Sequence, residues 1–275
     1  MFRQRSGSSL CYACGKINRV DASVCFYCGA RQPGLWGFGP WLGRAFGRMD
    51  VAQVITIACA VAYLASLLLD PSAALRPRGP FDILAPSNGA LYALGAAGAI
   101  PWAQGRWWTL LTAIYLHGSL LHILFNMLWV RQLAPAVEEV FGRARLVAVF
   151  SASGAAGFVL SNLAGVPFTI GASGSIFGLL GAMVYYGRSR GGAFGVAVFR
   201  QYGQWAIVIF VLGFIMAGVN NFAHAGGFIG GYLTAALFGH TGRGAESAVD
   251  RLAAVAFVVL TGAGFVLSLW TTFAG

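Results

Sequence analysis

The sequence predicts an all-α polytopic membrane protein, a bundle of seven transmembrane helices preceded by a small metal-binding ribbon. Three observations carry that prediction. Of the 275 residues, 58% are apolar and only 9% charged, with a mean hydropathy of +0.72, whereas soluble domains carry about a quarter charged residues. Seven apolar runs follow residue 50, near 51–69, 118–137, 146–165, 172–187, 204–220, 222–239 and 252–272, and a span needs roughly 20 such residues. Four of the five cysteines, by contrast, lie between positions 11 and 28.

Those cysteines form two pairs, Cys11-x2-Cys14 and Cys25-x2-Cys28, each followed by glycine (Gly15, Gly29). Such a pair presents two thiolates to one metal, and the glycine permits the tight turn between them. A structural zinc ion on four thiolates is the expectation for residues 1–33, where the metal folds a segment with little core of its own. Two disulfides are the alternative, disfavoured in a reducing cytosol. Residues 34–50 mix aromatics with Arg44 and Arg48 and read as a linker lying on the inner membrane surface. Cys59, inside the first run, reads as a small packing residue.

The net charge of +10 raises the question of nucleic acid, and its distribution excludes that partner. With the N-terminus inside, only Arg76, Arg78 and Arg106 of the 18 basic residues fall outside, as the positive-inside rule requires. The expectation is a multi-pass membrane protein with a cytosolic N-terminus and an external C-terminus. Its first helix would be an uncleaved signal-anchor. Residues 70–117 hold five prolines but also Phe81, Leu91, Tyr92, Trp102, Trp107 and Trp108. That many aromatics predict a folded external lobe rather than a loose loop.

Polar groups inside the runs are candidates for chemistry, because burying them in lipid is costly. His122 and Asn126 are four apart and share a helical face; His117, five residues before His122, would point elsewhere on the same helix. No Asp or Glu falls inside a predicted span, and Glu138 and Glu139 sit at an inner end. Glycines 171, 174, 178 and 181 would form one helical stripe beside Ser173, and Gly227 and Gly231 share a face with His224. Small-residue stripes let helices approach backbone to backbone. Helices two, four and six all start at the external side, so His117, His122, Asn126, Ser173 and His224 can share one shallow layer. His122 and Asn126 would lie roughly 6 and 12 Å below a helix beginning near Gly118.

Serine needs a base to take its proton, and His224 at matching depth is suited to that task. Without a buried carboxylate the pair is a dyad. His122, the Asn126 amide and the backbone N–H groups near Ser173 are candidate donors to a developing oxyanion, and Phe177 can stack on His224.

These residues resemble the rhomboid family of intramembrane serine proteases. The likeness rests on Gly171-x-Ser173-Gly174-x-x-Phe177-Gly178, His117-x4-His122-x3-Asn126 and Ala223-His224-x2-Gly227-x3-Gly231, and covers about 50–240. The resemblance implies Ser173 as nucleophile, His224 as general base, His122 and Asn126 as the oxyanion hole, and His117 packed nearby. It also implies a six-helix core at 51–240, with 241–275 adding a seventh helix. Single-span membrane proteins within the lipid bilayer are the implied substrates. Thr109 follows Trp107-Trp108 where the family's Trp-Arg motif has arginine, Ser175 stands at a common alanine, and Glu138 matches a Glu-x3-Gly pair with Gly142. A catalytically inert rhomboid-like adaptor that binds client helices is the alternative function. For the ribbon, three roles stay open: recruiting a cytosolic partner, sensing zinc, or regulating the core.

Overall fold

Each apolar run of the sequence overlaps one long helix. The computed structural model describes residues 3–12, 16–41, 49–74, 82–216, 218–240 and 246–274. Expectations placed on Cys14, Gly15, Arg44, Arg48, Arg76, Arg78, Phe81 and Arg243 lie outside the described residues. The chain divides into two units, Met1–Asp50 and Val51–Gly275.

The first unit is built on an antiparallel pair, β1 (Ser8–Leu10) and β2 (Ile17–Arg19), with Ser8 opposite Arg19 and Leu10 opposite Ile17. Cys11 N–H donates to the Lys16 carbonyl at 2.8 Å and Cys25 N–H to the Ala30 carbonyl at 2.8 Å. The bond from Cys25 closes a tight turn that carries Cys25 and Cys28.

The second unit holds the long helices α1 (Val51–Leu69), α2 (Leu120–Phe141), α3 (Arg143–Leu163), α4 (Ser173–Arg190), α5 (Gly192–Ile215), α6 (Asn221–Phe238) and α7 (Ala248–Phe273). This is an all-α polytopic membrane fold, and α1, α2, α3, α5 and α7 are each long and apolar enough to cross a membrane. The glycine-rich α4 and α6 fall below that threshold. They pack against each other and against α3, and a helix enclosed by protein need not offer lipid a continuous apolar surface. In α4 every residue from Gly174 to Val184 is buried.

Several boundaries differ from the sequence reading. The fifth helix starts at Gly192 rather than near 204, because Gly195 meets the Gly187 carbonyl closely enough that an added Cβ would lie 2.5 Å from it. Gly187 and Gly195 are the crossing point of α4 and α5. The second helix starts at Leu120, where Ser119 accepts the His122 N–H at 3.3 Å as N-cap; this raises His122 and Asn126 by about 3 Å in depth relative to a start at Gly118. The longer helices also take in carboxylates that the sequence reading left outside. Glu138 lies in the last turn of α2, paired with Arg143 at 2.8 Å, and Asp250 in the first turn of α7.

The lobe between α1 and α2 is folded. Short helices Asn88–Ala93, Ala99–Ala103 and Thr109–Thr112 lead into a 3-10 turn, Ala113–Tyr115. It is stitched to the segment before α4 by a bridge, with Ala97 and Thr169 exchanging N–H···O bonds at 3.1 and 2.8 Å, and by Gly171 N–H donating to the Ala113 carbonyl at 2.9 Å.

Candidate active site

Ser173 is the first residue of α4, half-buried, and Ala172 at the N-cap contributes no side-chain bond. Gly171 lies outside the helix, so the stripe read from the sequence is shorter by one member. Its φ of +115° disfavours any side chain, and an added Cβ would lie 2.7 Å from His122 Nε2. Gly174, Gly178 and Gly181 continue the stripe along α4. A Cβ on Gly227 would collide with the Gly174 carbonyl, and one on Gly231 with the Gly178 carbonyl. The backbones of α4 and α6 thus meet with no side chain between them.

That approach sets His224 over the first turn of α4. Its ring stacks on Phe177 with centroids 4.3 Å apart and planes 18° from parallel, and it is 5% exposed. His224 Nδ1 lies 3.2 Å from Asn221 Oδ1. An amide oxygen only accepts, so Nδ1 carries the proton and Nε2 is left with a free lone pair. Asn221 is a neighbour the sequence reading missed. The signal was its position three residues before His224 at a helix start, where a side chain folds back over the first turn. Asn220, the N-cap of α6, accepts from Ala223 N–H at 3.1 Å and donates to Ser161 Oγ at 2.7 Å and Thr169 Oγ1 at 2.9 Å.

His122 takes the opposite tautomer. Gly118 N–H donates to its Nδ1 at 3.3 Å, so Nε2 bears the proton, on the side of the ring that faces Gly171. Asn126, 5% exposed, donates from Nδ2 to the His122 carbonyl at 2.8 Å, which leaves its second N–H for another acceptor. His117 was expected to point away from His122. It precedes the helix instead, and the two rings meet edge to face at 5.0 Å, with His117 Nδ1 3.2 Å from the Tyr115 carbonyl. Ser175 is fully buried against Gly154 and its Oγ has no partner among the described residues. Thr109 donates to the Arg106 carbonyl at 2.7 Å, while Arg106, counted by the sequence on the external side, is 4% exposed with its guanidinium 4.1 Å from the Tyr92 ring centroid.

The Rhomboid domain family model matches residues 104–241, half of the chain. The chain belongs to the rhomboid family. The matched stretch of this rhomboid contains His117, His122, Asn126, Ser173 and His224 and excludes both the cysteine segment and α7. The chain is 36% identical to rhomboid protease GluP of Bacillus subtilis over 179 residues, 64% of this chain and 34% of GluP. It is 32% identical to RHOMBOID-like protein 1 of Arabidopsis thaliana over 174 residues, 60% of this chain and 43% of that protein. It is 31% identical to rhomboid protease GlpG of Salmonella typhi over 191 residues, 66% of this chain and 60% of GlpG. The chain therefore spans between a third and three fifths of the length of these relatives.

In the first unit of this rhomboid, the sulfur atoms of Cys11, Cys25 and Cys28 lie within 4.8 Å of one another and could hold a metal ion. Cys11 Sγ and Cys28 Sγ are 3.8 Å apart, and a tetrahedral zinc with bonds of about 2.3 Å needs sulfurs about 3.8 Å apart. The donor set fits zinc, with the expected fourth ligand, Cys14, outside the described residues. Burial opposes ionisation of Cys25. The N–H groups of Cys28 and Tyr27, the Cys28 thiol and the Asn18 amide outweigh it and hold the thiol down at about 6. Asn18, which donates to Cys25 Sγ at 3.3 Å and accepts from Phe26 N–H at 3.1 Å, is a second residue that sequence reasoning missed.

Proposed function

We propose that this rhomboid is an intramembrane serine endopeptidase that hydrolyses peptide bonds of single-span membrane proteins near their outer ends. The observation that carries the reading is a pair of ring contacts: Asn221 Oδ1 at His224 Nδ1, which leaves Nε2 to accept, and Gly118 N–H at His122 Nδ1, which leaves Nε2–H to donate. In this mechanism Ser173 Oγ gives its proton to His224 Nε2 as it attacks the scissile carbonyl, and the imidazolium later returns a proton to the leaving amine. The oxyanion that forms is met by His122 Nε2–H, the second N–H of Asn126 and the uncapped N–H groups at the start of α4, where the helix dipole also favours negative charge. Phe177 and Asn221 hold the imidazole between them. Gly171, Gly174, Gly178, Gly227 and Gly231 supply the close approach, and His117 buttresses His122.

The same reading puts the catalytic layer at the external face, the N-terminus in the cytosol and the protein in a bacterial inner membrane. It assigns residues 1–33 as a zinc ribbon on Cys11, Cys14, Cys25 and Cys28, 34–50 as an interfacial linker, 51–240 as the protease core and 241–275 as the added helix. Ser173→Ala and His224→Ala should each abolish cleavage of a helical substrate in liposomes, and a fluorophosphonate should modify the wild type at Ser173. Undiminished cleavage by Ser173→Ala removes the protease reading. Client binding by an unlabelled wild type is the result expected of an adaptor.

A further inference from the structure

The seventh helix lies outside the family domain, yet its two ends are fastened in different ways. At its start, Arg145 of α3 pairs with Asp250 at 2.9 Å, both side chains below a tenth exposed. Glu246 Oε1 accepts the N–H groups of Ala144 and Arg145 at 2.6 and 3.4 Å, so its carboxylate caps α3. Toward its other end sits Ser268, fully buried. Ser268 Oγ accepts Trp108 Nε1–H at 2.9 Å, and its carbonyl accepts from Arg106 Nη2 at 3.5 Å. Gly95 is wedged between Ser268 and Thr112, with no room for a Cβ.

Arg106, Trp108 and Gly95 all belong to the lobe, and from the lobe bonds run on to both halves of the reaction centre. Thr112 Oγ1 donates to the Gly95 carbonyl at 2.7 Å. Ala97 pairs with Thr169, and the Ala113 carbonyl takes the N–H of Gly171, two residues before Ser173. Thr169 Oγ1 in turn receives Asn220, the cap of the helix that carries His224. The guanidinium of Arg106 is buried, lying over the Tyr92 ring at 4.1 Å and beside α7 at the Ser268 carbonyl.

We propose that α7 is a positioning strut for the reaction centre: Ser268, with Trp108 and Arg106, pins the lobe whose backbone sets the approach of Ser173 and the cap of the His224 helix. The proposal rests on the protease reading for its catalytic consequence, but the pinning itself does not. These three are positioning residues, since none touches the reacting atoms.

The test compares wild type, Ser268→Ala and Ser268→Thr in the full chain. Amide hydrogen exchange reads the pinning without reference to activity, and the rate of fluorophosphonate labelling reads the reactivity of Ser173 without reference to substrate. In Ser268→Ala the amides of Ala97, Thr169 and Gly171 should exchange faster. Labelling and kcat should fall together by about fivefold, the size of one buried neutral hydrogen bond, with KM unchanged. Ser268→Thr, which keeps the hydroxyl, should restore both. Trp108→Phe should add little to Ser268→Ala, because both remove the same bond. Unchanged exchange at Thr169 and Gly171 in Ser268→Ala overturns the strut, as does a labelling rate equal to wild type. A wild type that exchanges as expected but is never labelled at Ser173 overturns the protease reading and leaves the pinning standing.

Discussion

Replacing Gly227 with alanine adds one methyl group at a backbone contact between α4 and α6, one turn from His224. A Cβ there would overlap the Gly174 carbonyl oxygen and lie 2.7 Å from its carbon and 2.9 Å from Gly174 Cα. Ordinary contact begins at 3.4 Å, so α6 must retreat from α4 by about 0.7 Å to relieve the carbon alone, and further for the oxygen. Overpacking of this kind costs about 1–3 kcal/mol of stability, which a seven-helix bundle can absorb. The catalytic consequence is larger, because His224 rides on α6 less than one turn before Gly227 while Ser173 adjoins Gly174. A misplacement near 1 Å costs about 100-fold in rate. The assay is kcat for a single-span substrate in liposomes, beside fluorophosphonate labelling and thermal unfolding in detergent. Gly227→Ala should insert and fold, with kcat and labelling down about 100-fold. Gly203→Ala on α5, where nothing lies within 4 Å of the added carbon, should be fully active. Wild-type kcat in Gly227→Ala would refute the claim that backbone contact sets the dyad.

Three further outcomes are expected. Asn221→Ala removes the acceptor on His224 Nδ1, so kcat should fall about tenfold with KM unchanged, as measured on the same substrate; the size is that of one orienting hydrogen bond lost from a buried site. Asp250→Ala takes away the buried carboxylate that faces Arg145 and should destabilise by about 3–5 kcal/mol in thermal or denaturant unfolding, with Arg145→Met in the same chain recovering much of the loss. In the first unit, purified protein should hold one zinc by elemental analysis, and Cys11→Ser or Cys28→Ser should lower that content. In zinc-free protein the thiolate absorbance that Cys25→Ser removes should titrate near 6 rather than near 9. Because the folded value is the lower one, the stability this thiolate gives is complete above about pH 9 and fades as pH falls through about 6.

The residues proposed for the chemistry were readable from the chain because each is a polar group in an apolar run, and lipid makes such groups conspicuous. Ser173, His224, His122 and Asn126 needed no three-dimensional information to be singled out. Asn221 was passed over because an asparagine at a helix start looks like a cap, and Asn220 beside it does act as one. Arg106 was placed only by its side of the membrane, because nothing near it in sequence offers a partner; the carbonyl it meets, that of Ser268, is 162 residues away. The relation of His117 to His122 was misjudged for a related reason. Helical spacing was applied across Ser119, whose side chain caps the helix and starts it after His117.

The sequence by itself determined the membrane class, the seven helices, the stripe on α4 and its counterpart on α6, and the residue types available for acyl transfer, because composition and periodicity are local properties of the chain. Only the tertiary structure decided which ring nitrogen of His122 and of His224 meets a partner, that α4 and α6 touch backbone to backbone, and that α7 is fastened to the lobe. Those facts depend on hydrogen bonds and close approaches between residues far apart in the chain, and the distances that select them exist only once the helices have packed.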